Sequence, residues 1–122
     1  MILGQGIDII EIGRIKDILD EKAELFLNRI FTQQEQDYCL QYRESAQHFA
    51  GRFAAKEAIA KAIGTGIGKQ LNWKDIEILP EASGRPIAFI HSMDMKNYRM
   101  HISISHCKSH ACAVATYEKC LN

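Results

Sequence analysis

The stretch His101-Ile102-Ser103-Ile104-Ser105, with the run 111–117 beyond the Lys108-Ser109 turn, decides the fold class. The first part alternates strictly between polar and apolar side chains, as a strand with one buried face does. The run 111–117 returns alongside it. Upstream, 75–79 is short and β-compatible, 82–86 is a turn built on Ser83-Gly84-Arg85-Pro86, and 87–90 is apolar. The polar, methionine-bearing stretch 92–97 predicts a short helix. The second half of the chain is therefore a strand meander.

The first half opens on a strand, 2–10, mostly apolar with the single carboxylate Asp8 inside it. Helices are expected over 14–19 and 23–31. Thr32-Gln33-Gln34-Glu35 fits a capping box and opens a helix to about Gln41. Ser45 is placed to cap the next helix, 46–63, which Gly64 ends because glycine takes the left-handed conformation without steric cost. Helices followed by strands predict an α+β fold, with helices packed on a small antiparallel sheet.

At 122 residues, without an internal repeat, low-complexity tract or linker, the chain reads as a single domain over 1–122. It is 47% hydrophobic and 25% charged, which fits a packed globular core. Its formal net charge of zero supplies no global field to hold it on nucleic acid. No apolar run reaches membrane-spanning length, and the N-terminus lacks a signal-peptide layout, so a cytoplasmic location is expected. Cys39, Cys107, Cys112 and Cys120 form no C-x-x-C pair, and free, reduced thiols are expected.

Four places carry chemistry. Asp8 sits between branched apolar residues, where an ionised carboxylate needs a cation, a metal or several N–H donors. A strand-edge aspartate facing water would satisfy the same pattern. On the central helix, Ala50, Ala54, Glu57 and Lys61 share one face, the last two about 6 Å apart along the axis. Taken alone, Glu57 and Lys61 make an ordinary solvated i,i+4 pair. Gly64-Thr65-Gly66-Ile67-Gly68 can bring backbone N–H groups close to a phosphate, although it follows a helix and is no P-loop. His106, after Ser103 and Ser105 at a strand end, could hold a phosphate or serve structure alone.

Together these blocks resemble one family. Gly6-x-Asp8 with Arg14-Ile15, then Arg52-Phe53-Ala54-Ala55-Lys56-Glu57-Ala58 with Lys61-Ala62-x-Gly64-Thr65-Gly66-x-Gly68, then Ser103-x-Ser105-His106 with Ala111-x-Ala113, are similar to the holo-acyl-carrier-protein synthases. The likeness covers essentially the whole chain, in order.

The resemblance implies transfer of the 4′-phosphopantetheine arm of coenzyme A to a serine of an acyl carrier protein, releasing adenosine 3′,5′-bisphosphate. It implies Asp8 and Glu57 as ligands of Mg²⁺, a hard cation commonly held by one or two carboxylates plus phosphates. Lys61 would serve the leaving phosphate, and Glu57 or a bound water would act as the base. Arg52, Gly64, Thr65, Gly66, Arg85, Pro86 and His106 would contact coenzyme A. Arg14 would help dock the acidic carrier protein, although Asp17, Asp20, Glu21 and Glu24 dilute the basic patch around it. A homotrimer is implied as well. Cys107 and His110 depart from the family's commoner residues.

Three other readings compete. A metal-dependent nucleotide or pyrophosphate hydrolase would use the same carboxylates with water as nucleophile. A non-catalytic domain could bind coenzyme A without transfer. A zinc module on His106, Cys107, His110 and Cys112 matches no common ligand spacing.

Overall fold

The computed structural model describes residues 1–68 and 71–120. Strand β1 (Ile2–Glu11) runs into helix α1 (Ile12–Ile30), followed by α2 (Gln33–Leu40) and the central α3 (Ser45–Ile63). A 3-10 turn at Trp73–Asp75 leads into the hairpin β2 (Ile76–Pro80) and β3 (Pro86–Ile90). The chain closes with β4 (Tyr98–His106) and β5 (His110–Lys119). Both sheets are antiparallel: a three-stranded one in the order β1-β5-β4, and the separate β2-β3 pair. The fold is α+β, as expected.

The alternating stretch that marks β4 pairs with β5 throughout, Ile102 opposite Ala115 and Ile104 opposite Ala113. These residues face α3, whose burial runs nearly all the way round, so the helix is the centre of the molecule and not a surface element. Small residues make that possible. Gly4 and Gly6 of β1 lie directly against α3: a Cβ on Gly6 would stand 1.9 Å from the Ala58 carbonyl oxygen, and one on Gly4 2.0 Å from that of Ala62. The close approach fixes how β1 lies along α3, and so where Asp8 stands relative to Glu57 and Lys61.

The two helices expected over 14–19 and 23–31 form one element interrupted at Lys22, whose φ of −142° and ψ of 45° are non-helical. The capping box at Thr32 is present in full. Gly64 ends α3 at φ +93°. Two expectations fail. Glu44, not Ser45, is the N-cap of α3, and no side chain caps it; Ser45 is already inside the helix. Stretch 92–97 is a pair of turns, because Met93 and Met95 pack back onto the core and Asp94 bonds the Lys96 N–H locally.

Candidate active site

β1 and α3 bring Asp8, Glu57 and Lys61 together. The Lys61 ammonium donates to Asp8 Oδ1 at 3.1 Å and to the Ile7 carbonyl at 2.8 Å. Asp8 is largely covered, whereas the lysine is half exposed. Burial pushes the Glu57 carboxyl above its usual range, the charge of Asp8 adds to that push, and Lys61 opposes it. The two carboxylates, 49 positions apart in sequence, thus share one electrostatic environment.

Asp8 and Glu57 line a cleft of about 450 Å³ with Arg14, Ile15, Ile18, Phe26, Phe53 and His110. Glu57 also borders a second cleft, formed by Arg29, Ile67, Gly68, Asn72, Trp73 and Lys74. A ladder of stacked rings runs along this region: Phe26 on Phe53 with centroids 6.4 Å apart, and Phe53 on Trp73 at 5.0 Å. Among the described residues, Glu57 is the one common to the linings of both clefts.

The donor set fits Mg²⁺. Two neighbouring carboxylates that repel one another gain from a divalent cation, and Mg²⁺ sites of this kind complete their shell with water and substrate phosphates. Among the described residues no group of three or more His, Cys, Asp or Glu side chains could hold a metal by itself, His106, Cys107, His110 and Cys112 included.

The remaining predicted residues fall elsewhere. Arg52 is buried against α2, its guanidinium 4.3 Å from the centroid of Tyr38, and its Nε has no hydrogen-bond partner among the described residues. His106 lies 3.0 Å from Gln47 Nε2. His48, stacked on Tyr42 with centroids 3.9 Å apart, is held below the usual histidine range by burial, then by Arg52 and His106. Arg52, His48 and His106 are not among the described lining residues of either cleft that Glu57 borders. Gly64, Thr65 and Gly66 follow Lys61 into an exposed turn, and a Cβ on either glycine would meet nothing within 4 Å. Arg85 and Pro86 lie at the β2-β3 turn, where Arg85 Nε meets Glu81 at 3.1 Å on the surface. All four cysteines are free, and burial pushes the Cys39 thiol up to about 12.

Several residues around the site carry no assigned role in the sequence, although Phe53 and Lys56 stand within the family block. Phe26, Phe53 and Trp73 look like core residues when each is taken singly. Lys56 is wholly buried and paired with Glu35 at 2.7 Å. Its signal was present: a lysine four residues after Arg52, on the side of a largely apolar helix that turns to α2, must find a buried partner.

The family model described as the 4′-phosphopantetheinyl transferase superfamily matches residues 4–115. A holo-[acyl-carrier-protein] synthase of Protochlamydia amoebophila is 47% identical over 120 residues, covering 96% of this chain and 98% of that protein. The crystal structure of a holo-(acyl-carrier-protein) synthase from Bacillus anthracis, in complex with CoA (3′,5′-ADP), is 41% identical and superposes with a TM-score of 0.85 over 98% of both chains. The Helicobacter pylori holo-[acyl-carrier-protein] synthase in complex with coenzyme A is 34% identical with a TM-score of 0.84, covering 93% of this chain and 99% of that one.

Proposed function

The chain belongs to the 4′-phosphopantetheinyl transferase superfamily, and from that premise we propose that it works as a holo-acyl-carrier-protein synthase. It transfers the 4′-phosphopantetheine group of coenzyme A to a serine of apo-acyl carrier protein, in fatty acid biosynthesis, and releases adenosine 3′,5′-bisphosphate. The convergence of Asp8 and Glu57 beside Lys61, set by the contact of Gly6 with α3, is the observation that carries this reading.

Asp8 and Glu57 are the residues that would hold Mg²⁺, which when bound supplies charge neutralisation on the diphosphate and polarises its phosphorus. Lys61 is half exposed and can leave Asp8 for a phosphate oxygen at little cost, since exposed pairs are weak. Its positive charge then stabilises the leaving adenosine bisphosphate. A Glu57 carboxylate that is less comfortable ionised than usual is a stronger base than an ordinary glutamate, which suits it to take the serine proton.

Arg14 on the same cleft as Asp8 supports carrier docking there. Arg52, whose buried Nε has no hydrogen-bond partner among the described residues, and His106 are assigned to coenzyme A, with Gly64, Thr65, Gly66, Arg85 and Pro86. That neither cleft bordered by Glu57 has Arg52 or His106 among its described lining residues supports a site shared between protomers of a homotrimer. So does the outer face of the three-stranded sheet, where Ile7, Ile9 and Val114 are exposed. Among the described residues no helix is long and apolar enough to cross a membrane, in keeping with a cytoplasmic enzyme.

The test is a carrier-mass assay. With coenzyme A, Mg²⁺ and apo-carrier, the carrier should gain roughly 340 Da, the mass of the arm. Release of phosphopantetheine without a carrier would support the hydrolase instead.

A further inference from the structure

Lys56 and Glu35 form a buried knot that the proposed chemistry leaves unused. Both side chains have zero exposure. All three ammonium protons of Lys56 are spent: on Glu35 Oε1 at 2.7 Å, on the Ile30 carbonyl at 2.8 Å and on the Trp73 carbonyl at 3.0 Å. Glu35 Oε1 also accepts the Thr32 N–H at 2.9 Å, and Oε2 accepts the Ile78 N–H at 2.8 Å. Thr32 Oγ1 donates onward to Glu77 at 2.6 Å, and Glu77 meets His91 at 3.1 Å. One cation thereby ties the end of α1, the start of α2, the Trp73 turn and β2 to α3.

What the knot holds is the wall beside Glu57. The Phe26-Phe53-Trp73 ladder has Phe26 on α1, Phe53 on α3 and Trp73 on the turn. Lys56 bonds the backbone at Ile30, one helical turn beyond Phe26, and at Trp73 itself. It lies next to Glu57 in sequence, three residues after Phe53. Burying two charges is expensive, and an apolar pair of similar size would serve packing as well or better.

We propose that Lys56, through Glu35 and the Ile30 and Trp73 carbonyls, is a positioning residue for transfer, fixing the aromatic ladder that sets Glu57 between its two clefts. The proposal rests on the transferase reading for its kinetic consequence, but its structural consequence can be read separately.

The experiment compares the full-length wild type with Lys56→Met and with Lys56→Met/Glu35→Gln. The single variant leaves a buried carboxylate without its cation and is expected to lose stability. The double variant removes both charges, and glutamine keeps the capping box. Trp73 is the sole tryptophan, so its fluorescence reports the ladder directly. In the folded double variant the Trp73 emission should shift to the red. Its transfer kcat should fall at least about tenfold, as displaced catalytic groups cost, while the KM for coenzyme A stays within about twofold. A folded double variant with wild-type emission and wild-type kcat overturns the proposal, as does a loss confined to KM. Should the double variant not fold, Glu35→Gln alone decides by the same two readouts. A wild type that shows no transfer defeats the transferase reading, whereas an unshifted Trp73 emission in the folded variant defeats the knot.

Discussion

Lys61 donates to Asp8 Oδ1 over 3.1 Å, so the carboxylate assigned to the metal already carries a cation on one side. The pair competes with the metal, and half-exposed lysine makes that competition mild. Lys61→Met should therefore bind Mg²⁺ no more weakly than the wild type by calorimetry, while transfer falls about a hundredfold, the usual cost of one charge-stabilising group. Weaker Mg²⁺ binding together with an unchanged rate would remove Lys61 from its role.

Gly6→Ala addresses how the two carboxylates come to meet. The new Cβ would stand 1.9 Å from the Ala58 carbonyl, a backbone atom that cannot turn aside. The strand must move off α3, at a cost of about 3 kcal/mol, the upper part of the overpacking range. Urea unfolding measures this directly. In whatever fraction stays folded, Asp8 is displaced from Glu57, so specific activity should fall further than the folded fraction does. Activity that simply tracks the folded fraction would mean the close approach serves stability only.

How far these features were legible in the sequence depends on whether they are local. The capping box at Thr32, the left-handed Gly64 and the alternation in 101–105 are short-range patterns, and each forms where the sequence places it. Ser45 misled because a hydroxyl before a helical run suits either a cap or a first turn, and the choice rests on the φ and ψ of Glu44. Asp8 with Glu57 could be joined only through the family resemblance, since nothing local says that β1 lies against α3. Gly4 and Gly6 were the physical trace of that contact: two glycines alternating within a strand mark a side stripped for a close neighbour. For Lys56 the sequence showed the need for a buried partner but not which one, because the groups that meet Lys56 and Glu35 are scattered between Ile30 and Ile78.

Arg52 tests the coenzyme A assignment apart from the chemistry. Its guanidinium lies over Tyr38, beside a histidine that burial and Arg52 itself hold below the usual range. An anion bound there would offset the Arg52 charge and make protonation of His48 easier. Arg52→Met should raise the KM for coenzyme A about tenfold, in line with loss of a charge-assisted hydrogen bond, and leave saturated kcat within a few-fold. A large drop in kcat at unchanged KM would place Arg52 with the reacting groups instead.

The outer sheet face offers a test of assembly. Ile7 and Ile9 each stand about two-thirds exposed on β1, with Val114 of β5 opposite Ile7. Ile7→Asp/Ile9→Asp should lower the sedimenting mass to that of a monomer while circular dichroism stays native, because neither side chain packs in the core. Transfer should fall with the mass if protomers share the site. A monomeric variant with full activity would place the whole site within one chain.

Glu57→Gln separates the cost of the site from its use. The Glu57 carboxyl has a folded pKa above its unfolded one, from burial first and Asp8 second. Between those two values the folded protein binds more protons than the unfolded chain, so stability falls as pH rises through that window. Above it the ionised glutamate costs the metal-free fold its full share. Glutamine removes that cost, so at neutral pH the metal-free variant should melt higher than the wild type, by about 1–3 °C, below what a full kilocalorie would give because the group is partly solvated. At a pH under the ordinary carboxylate range the two should melt together. Adding Mg²⁺ with coenzyme A should reverse the neutral order, since binding stabilises the protein that keeps both carboxylates more than the variant that has lost one. Transfer by the variant should drop at least about a hundredfold. A variant that is less stable without metal, or equally stabilised with it, would mean that Glu57 is an ordinary surface carboxylate and that Asp8 works with some other partner.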